Sequence, residues 1–171
     1  MGANSVNVDN TTLVAKLSTL TDAQLSQIAG QMMQAYLNNN EYTMSRPNQL
    51  IIPTDDKLAL TQVNSVNFPA ISKFKLLENM FKDASGNPDF KIVDCAFAQK
   101  SFNNANGYSI NADIYLLYNK DEKSAVFDIP VEYTTTEFTP TENKLCFANA
   151  AYSYVGGVRI MKPQEFLYFT Y

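Results

Sequence analysis

The chain has 171 residues, 46 % apolar and 18 % charged, with a formal net charge of −4. That length buries about two thirds of the unfolded surface in one core without metal or disulfide staples. The 13 basic residues include only two arginines, Arg46 and Arg159, far apart in sequence, so the concentrated basic face that nucleic-acid recognition needs is missing.

Met1 to Asn4 lack the basic and apolar regions of a signal peptide, and no apolar run is long enough to cross a bilayer, so a soluble product is expected. Asn10-Thr11-Thr12 matches a glycosylation acceptor, which without an export signal reads as chance. Residues 1–20, with Val6, Val8, Leu13, Val14 and Leu17, read as a short strand or an unattached lead-in. Thr21 and Gln24 then have capping-box spacing, with Leu20 and Leu25 placed as a hydrophobic staple, which predicts a helix starting at Asp22. Its apolar set Leu25, Ile28, Ala29, Met32, Tyr36 and Leu37 marks one buried face, and Asn38-Asn39-Asn40 ends it.

Gln49 to Pro53 reads as a short buried strand. Thr54-Asp55-Asp56 caps a second helix reaching about Gln62, and both aspartates are explained by its positive end rather than by catalysis. Ser72 opens a third helix carrying Phe74, Leu77, Met80 and Phe81, which Ser85-Gly86-Asn87-Pro88 stops. Asp83 to Asp89 resembles the start of a calcium loop, but Pro88 stands where the sharp turn needs glycine and Asp94 where a bidentate glutamate belongs. An ordinary helix-to-strand turn is expected there.

Phe90 to Ala98 is predicted as a strand. Ser101 to Tyr108 is rich in Asn and Gly, and Asn106-Gly107 marks a turn, so an exposed loop between strands is expected, open to partner or solvent. Ala112–Tyr118 and Ser124–Tyr133 are expected to pair across Asn119–Lys123. From Lys144 to Tyr171 the pattern is strand, paired glycine, strand, proline, strand: Gly156-Gly157 allows a turn with positive φ, and Pro163 separates the last two strands. Arg159 and Lys162 alternate with apolar positions on a strand and are expected to face solvent, available to pair across subunits. Tyr152, Tyr154, Tyr168 and Tyr171 read as half-buried sheet residues, with an interface as the alternative. Cys95 and Cys146 read as buried thiols. The fold class is therefore α+β, a central mixed sheet flanked by about three helices with a β-rich C-terminal part.

Reactive equipment is scarce. The absence of histidine removes histidine-based triads and metal sites, and no phosphate-cradling glycine loop, dinucleotide fingerprint or nucleophile elbow is present. No catalytic residue, metal or cofactor is assigned, and no enzyme activity is expected. Carboxylate-only catalysis stays open in principle through Glu132, Glu137 and Glu142, whose convergence a sequence does not show.

Taken in order, Leu50-Ile51-Ile52-Pro53-Thr54-Asp55-Asp56-Lys57-Leu58, then Ile114 to Asp121, Phe127 to Tyr133, and Gly156 to Pro163 carry a resemblance. The chain resembles the tailed-bacteriophage major capsid proteins of the Hong Kong 97 type fold, in a branch related to encapsulins, over Thr21 to Tyr171. The resemblance implies an axial-like α+β domain over 21–143 and closing strands of a peripheral-like part over 144–171. It implies a virion protein, assembled in the bacterial host cytoplasm, whose partners are copies of itself in pentamers and hexamers. Packaged DNA would be met only non-specifically, and no membrane is implied. Arg159, Lys162 and Tyr168 are candidate interface residues, with Gly156, Gly157, Pro163, Asn106 and Gly107 as structural turns. Family members carry an N-terminal arm, an extended hairpin and a spine helix ahead of the axial domain, and nothing before Thr21 supplies them. A fragment or a shortened relative is expected, which leaves open that this chain alone is monomeric. The alternative reading is a stand-alone α+β binding or adaptor module of a phage tail or neck.

Overall fold

The computed structural model describes residues 13, 15–41, 44–121, 125–128, 131–135, 139–140, 147–148, 151–154 and 157–171. Helix α1 (Asp22–Asn39) begins at its predicted residue because both halves of the capping box form: the Thr21 hydroxyl accepts the Gln24 N–H, and the Gln24 side chain accepts the Thr21 N–H at 3.0 Å. Leu20 and Leu25 are both buried across that turn, and Ala29, Met32 and Tyr36 continue the buried stripe. Strand β1 (Gln49–Pro53) leads directly into α2 (Thr54–Gln62). Ser72 caps α3 (Lys73–Ser85), and Gly86 closes it with φ of +66°. A Cβ at Gly86 would lie 2.9 Å from the Arg46 guanidinium, which donates to the Ser85 carbonyl.

The chain returns from α3 as β2 (Lys91–Cys95), parallel to β1 with Ile51 opposite Val93. β3 (Ile114–Tyr118) lies antiparallel on the other side of β1, and β10 (Phe166–Thr170) antiparallel on β3, giving a mixed sheet of order β10-β3-β1-β2. Ile92, Leu50, Leu117 and Leu167 form one row across it, each at most 8 % exposed. That face shares its core with α1, α2 and α3, including Phe81 and Phe90 stacked at 5.2 Å. Burying each such ring contributes about 1.5–3 kcal/mol. The fold is thus α+β, as expected.

Several local expectations change. The predicted strand 90–98 stops at Cys95, opposite Pro53 where β1 ends, and Ala96–Ala98 form a 3-10 turn. The expected loop from Ser101 holds a fourth helix, α4 (Lys100–Ala105). Tertiary contacts override the weak helix propensity of its asparagines: the buried Asn103 donates to the Phe97 carbonyl at 2.8 Å, and Phe97 packs edge-on against Phe102 and Tyr108. Asn106-Gly107 keeps its turn at the end of α4, with Gly107 at φ +73°.

Pairing in the C-terminal part also differs. β3 does not pair with the next strand, because both its edges are taken by β1 and β10. Instead β4 (Ala125–Asp128) pairs with β9 (Gly157–Ile160), β5 (Val131–Thr135) with β8 (Ala151–Tyr154), and β6 (Thr139–Pro140) with β7 (Phe147–Ala148), all antiparallel. These ladders nest, so the chain runs outward through β4, β5 and β6 and back through β7, β8 and β9. Gly157 is a strand residue opposite Asp128, not half of a tight hairpin between β8 and β9. Gly156 lies outside the described residues. Pro163 opens a 3-10 turn, Pro163–Glu165, that carries the chain from β9 into β10. Strand pairing therefore crosses the boundary expected at residue 143, since β10 joins the central sheet.

Candidate functional site

Titratable groups gather where Lys16, the first turn of α2 and the start of β3 meet. Lys16 stands ahead of the 3-10 turn Leu17–Thr19, which sets its ammonium 2.7 Å from Asp113 Oδ2 and 3.0 Å from Asp55 Oδ2. Asp113 Oδ1 accepts the Lys100 N–H at 2.7 Å, tying α4 to the same point. Asp56, only 1 % exposed, accepts the Ser18 N–H at 2.9 Å and the Tyr115 hydroxyl at 2.8 Å. Lys16, Asp55 and Asp113 border a cleft of about 510 Å³ together with Lys100, Ser101, Asn104 and Tyr171.

The electrostatics make this cluster a fastener. Burial opposes the Lys16 charge, but hydrogen bonds and charges from Asp113 and Asp55 outweigh it and hold the ammonium above the usual lysine pKa. A lysine so held is neither nucleophile nor base. Burial, reinforced by the Asp56 charge, raises the Tyr115 phenol and keeps it a donor. Lys57 similarly hydrogen-bonds Asp94 at 2.6 Å and lowers that carboxyl. Among the described residues no group of three or more His, Cys, Asp or Glu has an arrangement fit for a metal ion. No helix among them is long and apolar enough to cross a membrane.

The sequence-predicted site residues are dispersed. Asn106 and Gly107 lie beyond α4, while Gly157 and Arg159 lie in β9, with Arg159 opposite Val126. Lys162 is not on a strand: it precedes the Pro163 turn, and its ammonium lies 3.3 Å from Glu165 and 3.7 Å from Asp121 within the chain. Tyr168 stands on β10, opposite Leu116, with 43 % of its surface exposed, and Tyr171 is 48 % exposed. Cys95 is half-buried and free. Glu132 is within β5, whereas Glu137, Glu142 and Cys146 lie outside the described residues. Sequence reasoning missed Lys16 and Asp113, which carry no local signal because only the fold brings them together.

No family model matches the chain, and no curated protein matches it. Among solved structures it is similar to the capsid of Myoviridae phage XM1, with a TM-score of 0.65 and 10 % identity over 93 % of this chain and 49 % of that one. The chain thus spans about half the length of that capsid chain. At this identity the likeness is one of fold alone.

Proposed function

We propose that this chain is a structural coat subunit, or part of one, of a tailed bacteriophage or prophage, of the Hong Kong 97 type. The observation that carries the reading is the superposition on a phage capsid chain across 93 % of this sequence. The four-stranded sheet with its helical layer supports the axial-like α+β body of that reading. The subunit works through contacts with copies of itself in rings that tile a shell, with no catalytic step. The saturated pairing of Lys16 and Tyr115 supports that reading, because neither group is tuned for proton or group transfer. In the virion, packaged DNA meets such a surface without sequence readout, since the net charge of −4 offers no phosphate footprint.

Co-expression of the chain with the genes flanking its own, followed by electron microscopy, is expected to yield shells or rings that contain it. A chain absent from every particle, and captured instead as a monomer by a tail or neck protein, would replace this reading with that of an adaptor.

A further inference from the structure

The cleft beside the Lys16 clasp pairs fixed carboxylates with hydrogen-bonding groups that are still free. Asp113 is its buried member, with 4 % of its side chain exposed: Oδ2 lies 2.7 Å from the Lys16 ammonium, and Oδ1 accepts the Lys100 N–H at 2.7 Å. Asp55 Oδ1 accepts the Asp56 N–H at 2.9 Å, and Oδ2 lies 3.0 Å from the same ammonium. Each of these oxygens keeps a second lone pair. The bonds already made hold them in place before anything enters.

The rest of the lining comes from two directions. Lys100, Ser101 and Asn104 are exposed and share one face of α4, because positions i, i+1 and i+4 fall within about 100° of a helix. Tyr171 stands across from them. It exchanges both backbone hydrogen bonds with Asp113, each of 3.0 Å, so the two side chains leave on the same face as direct cross-strand neighbours. Its ring is 48 % exposed, an aromatic surface beside a fixed carboxylate. Among the described residues no hydrogen bond or ion pair engages the Lys100 ammonium, the Asn104 amide or the Tyr171 hydroxyl.

We propose that this cleft binds a neutral saccharide through one pyranose ring. The charges of Lys16 and Lys100 balance those of Asp55 and Asp113, so the lining carries no net charge. A phosphate drawn to Lys100 would meet Asp113 and Asp55, and a free cation would meet the two ammoniums. A sugar hydroxyl both donates and accepts, which matches this mixture. The carboxylate oxygens and the Asn104 carbonyl accept, while the Lys100 ammonium, the Asn104 amide N–H and the Tyr171 hydroxyl donate. The apolar C–H face of a pyranose suits the Tyr171 ring. The volume of about 510 Å³ lies within the range of about 300–1,000 Å³ that small-molecule sites occupy. The site makes no use of the coat reading, and either can fail without the other.

The test follows backbone amide shifts of the full chain by NMR as the methyl pyranosides of glucose, galactose and mannose are added. At least one is expected to shift residues 100–104, 113 and 171 saturably, with a Kd of about 1 mM. Tyr171→Ala and Asn104→Ala, both at exposed positions, are each expected to weaken that binding about tenfold, with the fold checked by circular dichroism. The matching trisaccharide then separates two sources of the same ring: tighter binding assigns a glycan end, equal binding a free sugar, and both support the site. The absence of any saturable shift up to about 0.1 M sugar overturns the proposal. So does unchanged affinity in both variants, or saturation of the same residues by inorganic phosphate instead of sugar.

Discussion

Two buried hydroxyl-carboxylate contacts show how single residues fix this fold. Asp22 has its carboxyl lowered from the ordinary 3.8, first by the Asn67 N–H and then by the Ser65 hydroxyl. A lowered folded value means that its stabilisation is fully present above the unfolded pKa and is lost as pH falls from there through the folded value. Asp22→Asn keeps the acceptor but removes the charge, so it is expected to flatten the acid limb of a stability-pH profile below about pH 4, measured by urea unfolding. An unchanged limb would show that Asp22 does not couple to folding. Tyr115 and Asp56 make the deeper contact, with both side chains at most 1 % exposed. Tyr115→Phe leaves that carboxylate short of a donor and is expected to cost about 1–3 kcal/mol in denaturant unfolding.

At the scale of elements, local chemistry that closes on itself was legible and pairing between distant segments was not. The Thr21 cap, the Ser72 cap and the Gly86 stop each involve residues within a few positions of one another, and all three form. Thr21→Ala is expected to remove about 1 kcal/mol and lower the thermal midpoint by about 2–4 °C, read by calorimetry. Strand partners depend instead on which edges remain free. The run Ile114–Tyr118 reads as one arm of a hairpin, yet β1 and β10 occupy both its edges, and the next strand pairs with β9. Helix α4 was hidden for a similar reason: Asn103 and Asn104 disfavour it locally, and the hold of Asp113 on Lys100 comes from another element.

For the whole molecule, the coat reading is a claim about presence in particles. The sequence by itself determined the α+β class and the capped starts of the first and third helices, because capping and periodicity act over a few residues. Only the tertiary structure decided that Lys16 is clasped by Asp55 and Asp113. It alone set the tail strand β10 beside β3 and turned Val66 and Phe68 outward over a buried aspartate. Those outcomes depend on contacts between residues far apart in the chain, whose free energy exists only once the core has formed.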